Sequence, residues 1–378
     1  MSNKKWKSVL LFGVLFAGSA LAQTASITPE EELGKKVRAA GEVQPLGESP
    51  FGESINLYDG TVSFRQVDIE QPGLGLPIQL ARTYRTDDSM RASKFLDWEL
   101  EAPHIETLSA NANGTEDGGG PWFFLNDASR CSNFRQAPSI VLSSGGSPVP
   151  IFYLPGHWWN GYQLAIPGLG SQDLLLRDSS NTASPQMPSG GGGVRNFHIV
   201  TKQNWMVSCL ANTSNGMAGE GFLVVSPDGI KYWMDWLTYK PYRKVGFAQP
   251  GFGGVARRVA MMMVSRVEDR FGNSLSYSYD ANGDLASIQA SDGRKLVLSY
   301  EPWQPYGVSQ PSTRIRTAVL SANDAPSRTW TYTYSSAQDS PSNQRLTAVV
   351  QPDGSAWSFN LGALRFTGGR RADYQVSQ

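Results

Sequence analysis

The sequence predicts an all-β protein: antiparallel β-hairpin repeats forming a curved sheet, with one short N-terminal helix. Three observations predict it. A turn glycine recurs with large apolar residues three, five and seven positions after it. Gly, Phe, Tyr and Trp are plentiful, at 39, 16, 14 and 11 residues. Charged residues make up only 17% of the 378, too few for a coiled coil or a mainly helical surface. This length can bury one large core or two modest ones.

Residues 1–22 read as a secretory signal peptide. Lys4, Lys5 and Lys7 give a basic start, Val9 to Ala17 an apolar run too short to span a bilayer, and Ala20-Leu21-Ala22 a small-residue cleavage site. An uncleaved N-terminal anchor is the alternative. No Cys follows the run, so no lipid anchor is expected. Export to the periplasm, cell surface or medium follows. No other stretch is apolar and long enough to cross a membrane.

Residues 23–50 form a leader. Thr28 caps a short helix, Pro29 suits its first turn, Glu31 completes a capping-box spacing, and Gly41 ends it. From 51 to 220 a β-rich region is expected. Tyr58-Asp59-Gly60 is a turn, Val62 and Phe64 alternate with polar residues, and Val67 and Ile69 take the opposite phase. A bulge near Gln66 would absorb the shift. After the turn Pro72-Gly73-Leu74-Gly75, residues Leu76, Ile78, Leu80, Arg82 and Tyr84 share one strand face. The small, polar stretches 107–121 and 179–193 read as exposed loops, without the Lys-Ser/Thr and helix of a phosphate-binding loop.

The repeats occupy 221–365, and 366–378 read as a loose tail. Gly229 is followed by Tyr232, Met234 and Trp236; Gly272 by Leu275, Tyr277 and Tyr279; Gly293 by Leu296, Leu298 and Tyr300; Gly354 by Trp357, Phe359 and Leu361. Spacing of two places each trio on one strand face. Asp-Gly at 228–229, 292–293 and 353–354 suits tight turns that need positive φ. Gly272 and Gly293 lie 21 residues apart, and the other intervals are about two and three such units. Trp330, Tyr332 and Tyr334 fill part of the longest gap, and Trp233, Trp330 and Trp357 are expected to pack on the sheet. A fixed period means stacked units that bury their apolar faces on one another. The alternative is an ordinary β-sandwich with chance regularity.

These residues resemble the Rhs/YD-repeat family of bacterial polypeptides. The resemblance is clearest at Asp269-Arg270-Phe271-Gly272-Asn273 and Leu275-Ser276-Tyr277-Ser278-Tyr279-Asp280-Ala281-Asn282-Gly283. It continues through Leu285, Ile288, Asp292-Gly293-Arg294-Lys295-Leu296 and Ser299-Tyr300. Tyr279-Asp280 looks like the namesake dipeptide. Upstream, Gly60-Thr61-Val62, Asp68-Ile69, Pro72 to Ile78 and Arg82-Thr83-Tyr84 look like the leader that precedes such repeats. The matches cover about half the chain, and 90–220 matches nothing recognisable. The resemblance implies part of a hollow YD-type β-shell and a role as scaffold or cap in a delivery, competition or adhesion system. Its partner would be a downstream Rhs or toxin polypeptide. The chain has few repeats, no Asp-Pro self-cleavage dipeptide, and no toxin-like domain after Gln378. It reads as the front of a longer protein or a shortened paralogue.

Nothing in the sequence marks an enzyme. His104, His157 and His198 have no HExxH or Cys-x-x-Cys context, and no Gly-x-Ser-x-Gly elbow occurs. No cofactor and no metal site are expected. Glu116, Asp117, Asp173 and Asp178 leave a glycoside hydrolase as the weakest reading. Lys+Arg and Asp+Glu both number 33, and signal cleavage would remove three lysines, so nucleic acid is not an expected partner. Arg257-Arg258 and Arg370-Arg371 read as solvated surface. Cys131 and Cys209 are an even pair that either bond in an oxidising compartment or stay separate buried thiols. The ligand-binding candidates are Trp122, Trp158, Trp159 and Tyr162, whose flat rings suit a cell-surface glycan. Local packing is the alternative for them.

Overall fold

The computed structural model describes residues 53–55, 62–85, 94–110, 129–136, 142–143, 152–154, 156, 159–177, 197–245, 255–304, 312–323, 325–335 and 344–359. The expected signal peptide, the helix after Thr28, the turn at Tyr58, and residues Glu116, Asp117, Trp122, His157, Trp158, Asp178 and 360–378 lie outside the described residues. Within them the regular elements are strands, paired antiparallel, as the repeat spacing predicts.

Four strands form a leader sheet: β1 (Glu53–Ile55), β2 (Val62–Gln71), β3 (Ile78–Arg85) and β4 (Trp98–Glu101). Alternation puts Ile78, Leu80, Arg82 and Tyr84 inward, all buried. The phase change in β2 is absorbed between Val67 and Ile69, slightly later than expected, so that Asp68 is the extra residue. Then come β5 (His104–Ala110), a two-stranded ribbon of β6 (Leu142–Ser143) and β7 (Phe152–Tyr153), β8 (Tyr162–Ile166), β9 (Gly170–Asp173), β10 (Leu175–Leu176), β11 (Ile199–Val200), β12 (Met206–Leu210) and β13 (Gly221–Val225). The rest are β14 (Lys231–Val245), β15 (Val255–Glu268), β16 (Ser274–Tyr279), β17 (Leu285–Ala290), β18 (Lys295–Trp303), β19 (Ser312–Ala322), β20 (Ala325–Tyr334), β21 (Leu346–Val350) and β22 (Ala356–Ser358).

From β10 to β22 every strand pairs with its chain neighbours, a long meander. The sheet forks at β15. One edge of β15 lies along β14; the other is shared, with β5 opposite Arg257–Met263 and β16 opposite Arg266–Glu268. Between the two branches the Val264 N–H reaches the Pro103 carbonyl (3.1 Å). β5 also pairs with β8, and β8 with β9. β9 and β10 are one run broken at Leu174, pairing with β8 on its first half and β11 on its second, so the sheet turns a corner there. The sheet continues without a break past residue 220, because Cys209 in β12 stands opposite Phe222 in β13.

One hydrophobic cluster joins the leader sheet, the middle strands and the repeats. A smaller one (Phe197, Leu223 and Val225, flanked by Met206, Leu210 and Trp233) lies apart from it. Three expectations are corrected. Residues 107–110 are not loop: Thr107, Leu108 and Ser109 are buried in β5, because neighbours on both sides pair its backbone and Leu108 anchors it. Arg257 is not solvated surface: it is buried with its guanidinium 5.0 Å from the Tyr242 ring. Trp357 does not pack in the sheet core. It is 53% exposed on β22, which pairs with β21 alone among the described residues.

Candidate functional site

The repeat turns share one construction. Gly229, Gly272, Gly283, Gly293 and Gly354 have φ between 73° and 94°. In each turn the glycine N–H donates to the carbonyl three residues back, at Ser226, Asp269, Asp280, Ala290 and Gln351. The N–H of that same residue donates to the carbonyl just after the glycine. This is the three-residue hairpin loop closed by a left-handed bulge residue, a conformation that favours glycine and is tolerated by asparagine. Asn204 (φ 63°) builds the same turn on Thr201, which a search for glycine overlooks. Asp280 is a turn cap: its Oδ1 accepts the N–H groups of Asn282 (2.8 Å) and Asp284 (2.9 Å). Asp269 does the same for Phe271 and Asn273, and its hydrogen bond from the Asn273 side chain, foremost, holds its carboxyl below the ordinary range.

A tyrosine ladder crosses the repeats. The Tyr279 hydroxyl donates to the Val264 carbonyl (2.6 Å), Tyr300 to Leu285 (2.7 Å) and Tyr334 to Ile315 (2.6 Å). Each tyrosine stands at a shift in strand register, and each reaches the preceding strand. The spacing has a physical cause: a bulge disrupts the ladder of strand hydrogen bonds, and a hydroxyl on a long rigid ring can serve a carbonyl there. Burial pushes all three hydroxyls far above their ordinary range, so they remain donors at any working pH. Leu275, Met234, Leu296 and Leu298 line the same core, with Tyr277, Trp236 and Tyr300 packed against it.

The leader sheet is fastened across these repeats at both rims and in the middle. At one rim, Arg294 donates to the Gln71 carbonyl (2.5 Å) and the Leu76 carbonyl (2.9 Å), the two ends of the leader turn. Asp292 grips Arg294 (2.8 Å) and also accepts the Leu74 N–H (3.3 Å). A Cβ on Gly73 would fall on the Arg294 guanidinium, and one on Gly75 on the Asn273 side chain, so both glycines permit the approach. At the other rim, buried Asp284 accepts Lys94 of the leader and Lys240 of β14, each at 2.7 Å. In the middle, Arg82 pairs with Asp68 (2.8 Å) with both side chains almost wholly buried. Its guanidinium lies 4.1 Å from the Trp98 ring centre and 4.6 Å from Phe359. The Tyr332 hydroxyl donates to the same Asp68 (3.1 Å). Asp97 accepts the Leu346 N–H (2.9 Å), and burial raises its pKa to about 6.

The other sequence candidates fall elsewhere. Tyr162 is not a surface ring: it starts β8 pointing inward, 3% exposed and 5.7 Å from Phe222. Trp159 is half-buried, and its N–H donates to Thr107 (3.0 Å). His104 is buried, 3.5 Å from Glu106. Asp173 is exposed on β9. Cys131 and Cys209 are joined in a disulfide, with Cα atoms 5.6 Å apart. His198 stands beside them, its Nε2 3.9 Å from Cys209 Sγ. Sequence spacing did not signal that neighbour, because only the pairing of β11 with β12 sets His198 beside Cys209. The clamp residues Arg294, Asp284, Lys94 and Asp97 were likewise unmarked as contacts: their partners lie 44 to 249 positions away.

No protein-family profile matches the sequence. No curated protein matches it either. Among solved structures, the N-terminal domain of effector protein SpvB from Salmonella typhimurium strain LT2 is similar, with 11% identity and a TM-score of 0.35, over 78% of this chain and 100% of that one. TcdB2-TccC3 is similar with 12% identity and a TM-score of 0.37, over 84% of this chain and 16% of that one. TcdB2-TccC3-Cdc42 is similar with 11% identity and a TM-score of 0.37, over 79% and 16%. Similarity at this level says nothing of activity or partners.

Proposed function

We propose that this chain is an exported, non-enzymatic scaffold of the Rhs/YD-repeat type, acting as the starting cap of a β-shell in a delivery, competition or adhesion system. The observation that carries the reading is the clamp: a leader sheet locked across the repeat ribbon at Arg294, Arg82 and Asp284. Such a lock closes one end of a winding sheet and leaves the other end to grow. The growing end is β22, where Trp357 presents an exposed ring beside a strand paired on one side among the described residues. An unpaired strand edge takes a further strand readily.

The partner in this reading is an Rhs or toxin polypeptide carrying further YD repeats. Co-expression of that polypeptide with the full chain is expected to yield a stable complex on size exclusion, weakened by Trp357→Asp. The cap reading fails if the two polypeptides elute apart, or if Trp357→Asp leaves the complex unchanged. The glycan-binding reading gains nothing from the geometry, since Tyr162 lies in the core and Trp159 already donates its N–H to Thr107.

A further inference from the structure

The corner joining residues 129–136 to β11 and β12 gathers three ligand atoms. Cys131 is fully buried on the 129–136 turn, Cys209 sits in β12, and His198 immediately precedes β11. Both sulfurs and a His198 ring nitrogen lie within 4.8 Å of one another. A tetrahedral zinc-class ion, with bonds of about 2.3 Å to sulfur and about 2.0 Å to imidazole nitrogen, holds its ligands roughly 3.5–3.8 Å apart. His198 Nε2, at 3.9 Å from Cys209 Sγ, already stands near that separation.

The backbone around the trio is independently held. The Arg177 N–H donates to the His198 carbonyl (2.8 Å). Phe134, from the same turn as Cys131, places its ring edge-on to the imidazole at 6.2 Å. Glu220 accepts the N–H groups of Cys131 (2.9 Å) and Ser132 (2.8 Å), and Arg130 donates to the carbonyls of Ala218 and Glu220. Opening the sulfur–sulfur bond therefore leaves two thiols and an imidazole on supports that do not depend on it.

We propose that the reduced form of this corner is a zinc-class metal site. Cys131 and Cys209 thiolates and His198 Nε2 are three ligands, and a solvent water is the fourth. Disulfide and metal exclude each other, because each bonded sulfur lacks the thiolate charge that binds the ion. A dithiol reductant supplies two electrons and two protons, becomes a disulfide itself, and leaves two protein thiols. Metal binding then releases those two protons to solvent, with His198 neutral and its proton on Nδ1. The inference rests on these residues alone and stands whether or not the chain caps a shell.

The test uses the full chain, reduced with dithiothreitol, desalted without oxygen and titrated with cobalt(II) in place of zinc. One cobalt per chain is expected, with tetrahedral visible bands and a thiolate charge-transfer band; the oxidised chain should bind none. His198→Ala should weaken binding at least tenfold, and Cys131→Ser with Cys209→Ser should abolish it. No cobalt on the reduced chain overturns the proposal, as does equal binding by either variant. Hydrogen exchange of the reduced chain over 129–136 and 197–210 provides a second readout if reduction loosens the corner. Zinc should slow it, and unchanged exchange counts against the site.

Discussion

At the residue scale, two clamp residues make opposite demands. Arg294 satisfies two leader carbonyls with a forked cation. Arg294→Ala leaves both without that donor and is expected to lower stability by about 2–4 kcal/mol in urea denaturation. Arg294→Lys should recover only part, because an ammonium lacks the fork. Asp97 is different: burial raises its pKa from 3.8 to about 6, so its ionised form is the costly one. The native state therefore binds more protons than the unfolded chain between pH ~4 and about 6, and this residue's contribution to stability declines as pH rises through that window. Asp97→Asn keeps the oxygen that accepts the Leu346 N–H. It is expected to stabilise the protein at pH 7.5 by up to about 3 kcal/mol and to flatten that part of the pH profile. An unchanged melting temperature across pH 4–7.5 for both proteins would refute the assignment.

At the scale of elements, the repeat is a strand, a turn and a tyrosine at the next register shift; glycine-bulge turns at Gly272 and Gly293 precede Tyr279 and Tyr300, while the turn before Tyr334 has no glycine. Tyr279→Phe, Tyr300→Phe and Tyr334→Phe each remove one hydroxyl and leave the ring. Each should cost about 1–2 kcal/mol, similar in all three, if the ladder is one repeated device. A loss confined to one of them in denaturant titrations would break the equivalence. Much of this was legible in the sequence. Asp-Gly pairs and alternate apolar residues report on backbone within a few positions, and strand periodicity placed Leu296 and Leu298 in the core. The register shifts at Tyr279 and Tyr300 were not legible, because a bulge depends on the partner strand. Nor was the exposure of Trp357: alternation says which side of a strand a residue faces, not whether another layer covers that side. Thr107 to Ser109 misled for a related reason. Small polar residues read as loop unless both neighbouring strands are known.

At the scale of the molecule, the hydrogen bonds that close the leader sheet onto the repeats span very long stretches of chain. Arg294 to Gln71 spans 223 residues, Asp97 to Leu346 spans 249, and Asp68 to Tyr332 spans 264. A chain cut after residue 280 loses every one of them. Limited proteolysis of that fragment is expected to attack 62–101 rapidly, whereas the full chain resists. Equal protection would mean that the leader folds by itself. The clamp was the least legible part of the molecule, since no local pattern joins Arg294 to Gln71 or Lys94 to Asp284.

The same distances impose an order of events on synthesis. Residues 62–101 leave the ribosome early, while Arg294, Tyr332 and Leu346 are made at least 193 residues later. The front of the polypeptide must wait, unlocked, for its back. Closure is then a late step that loop-closure entropy slows, and until Arg294, Tyr332 and Leu346 have been made the front of the chain lacks its locking partners.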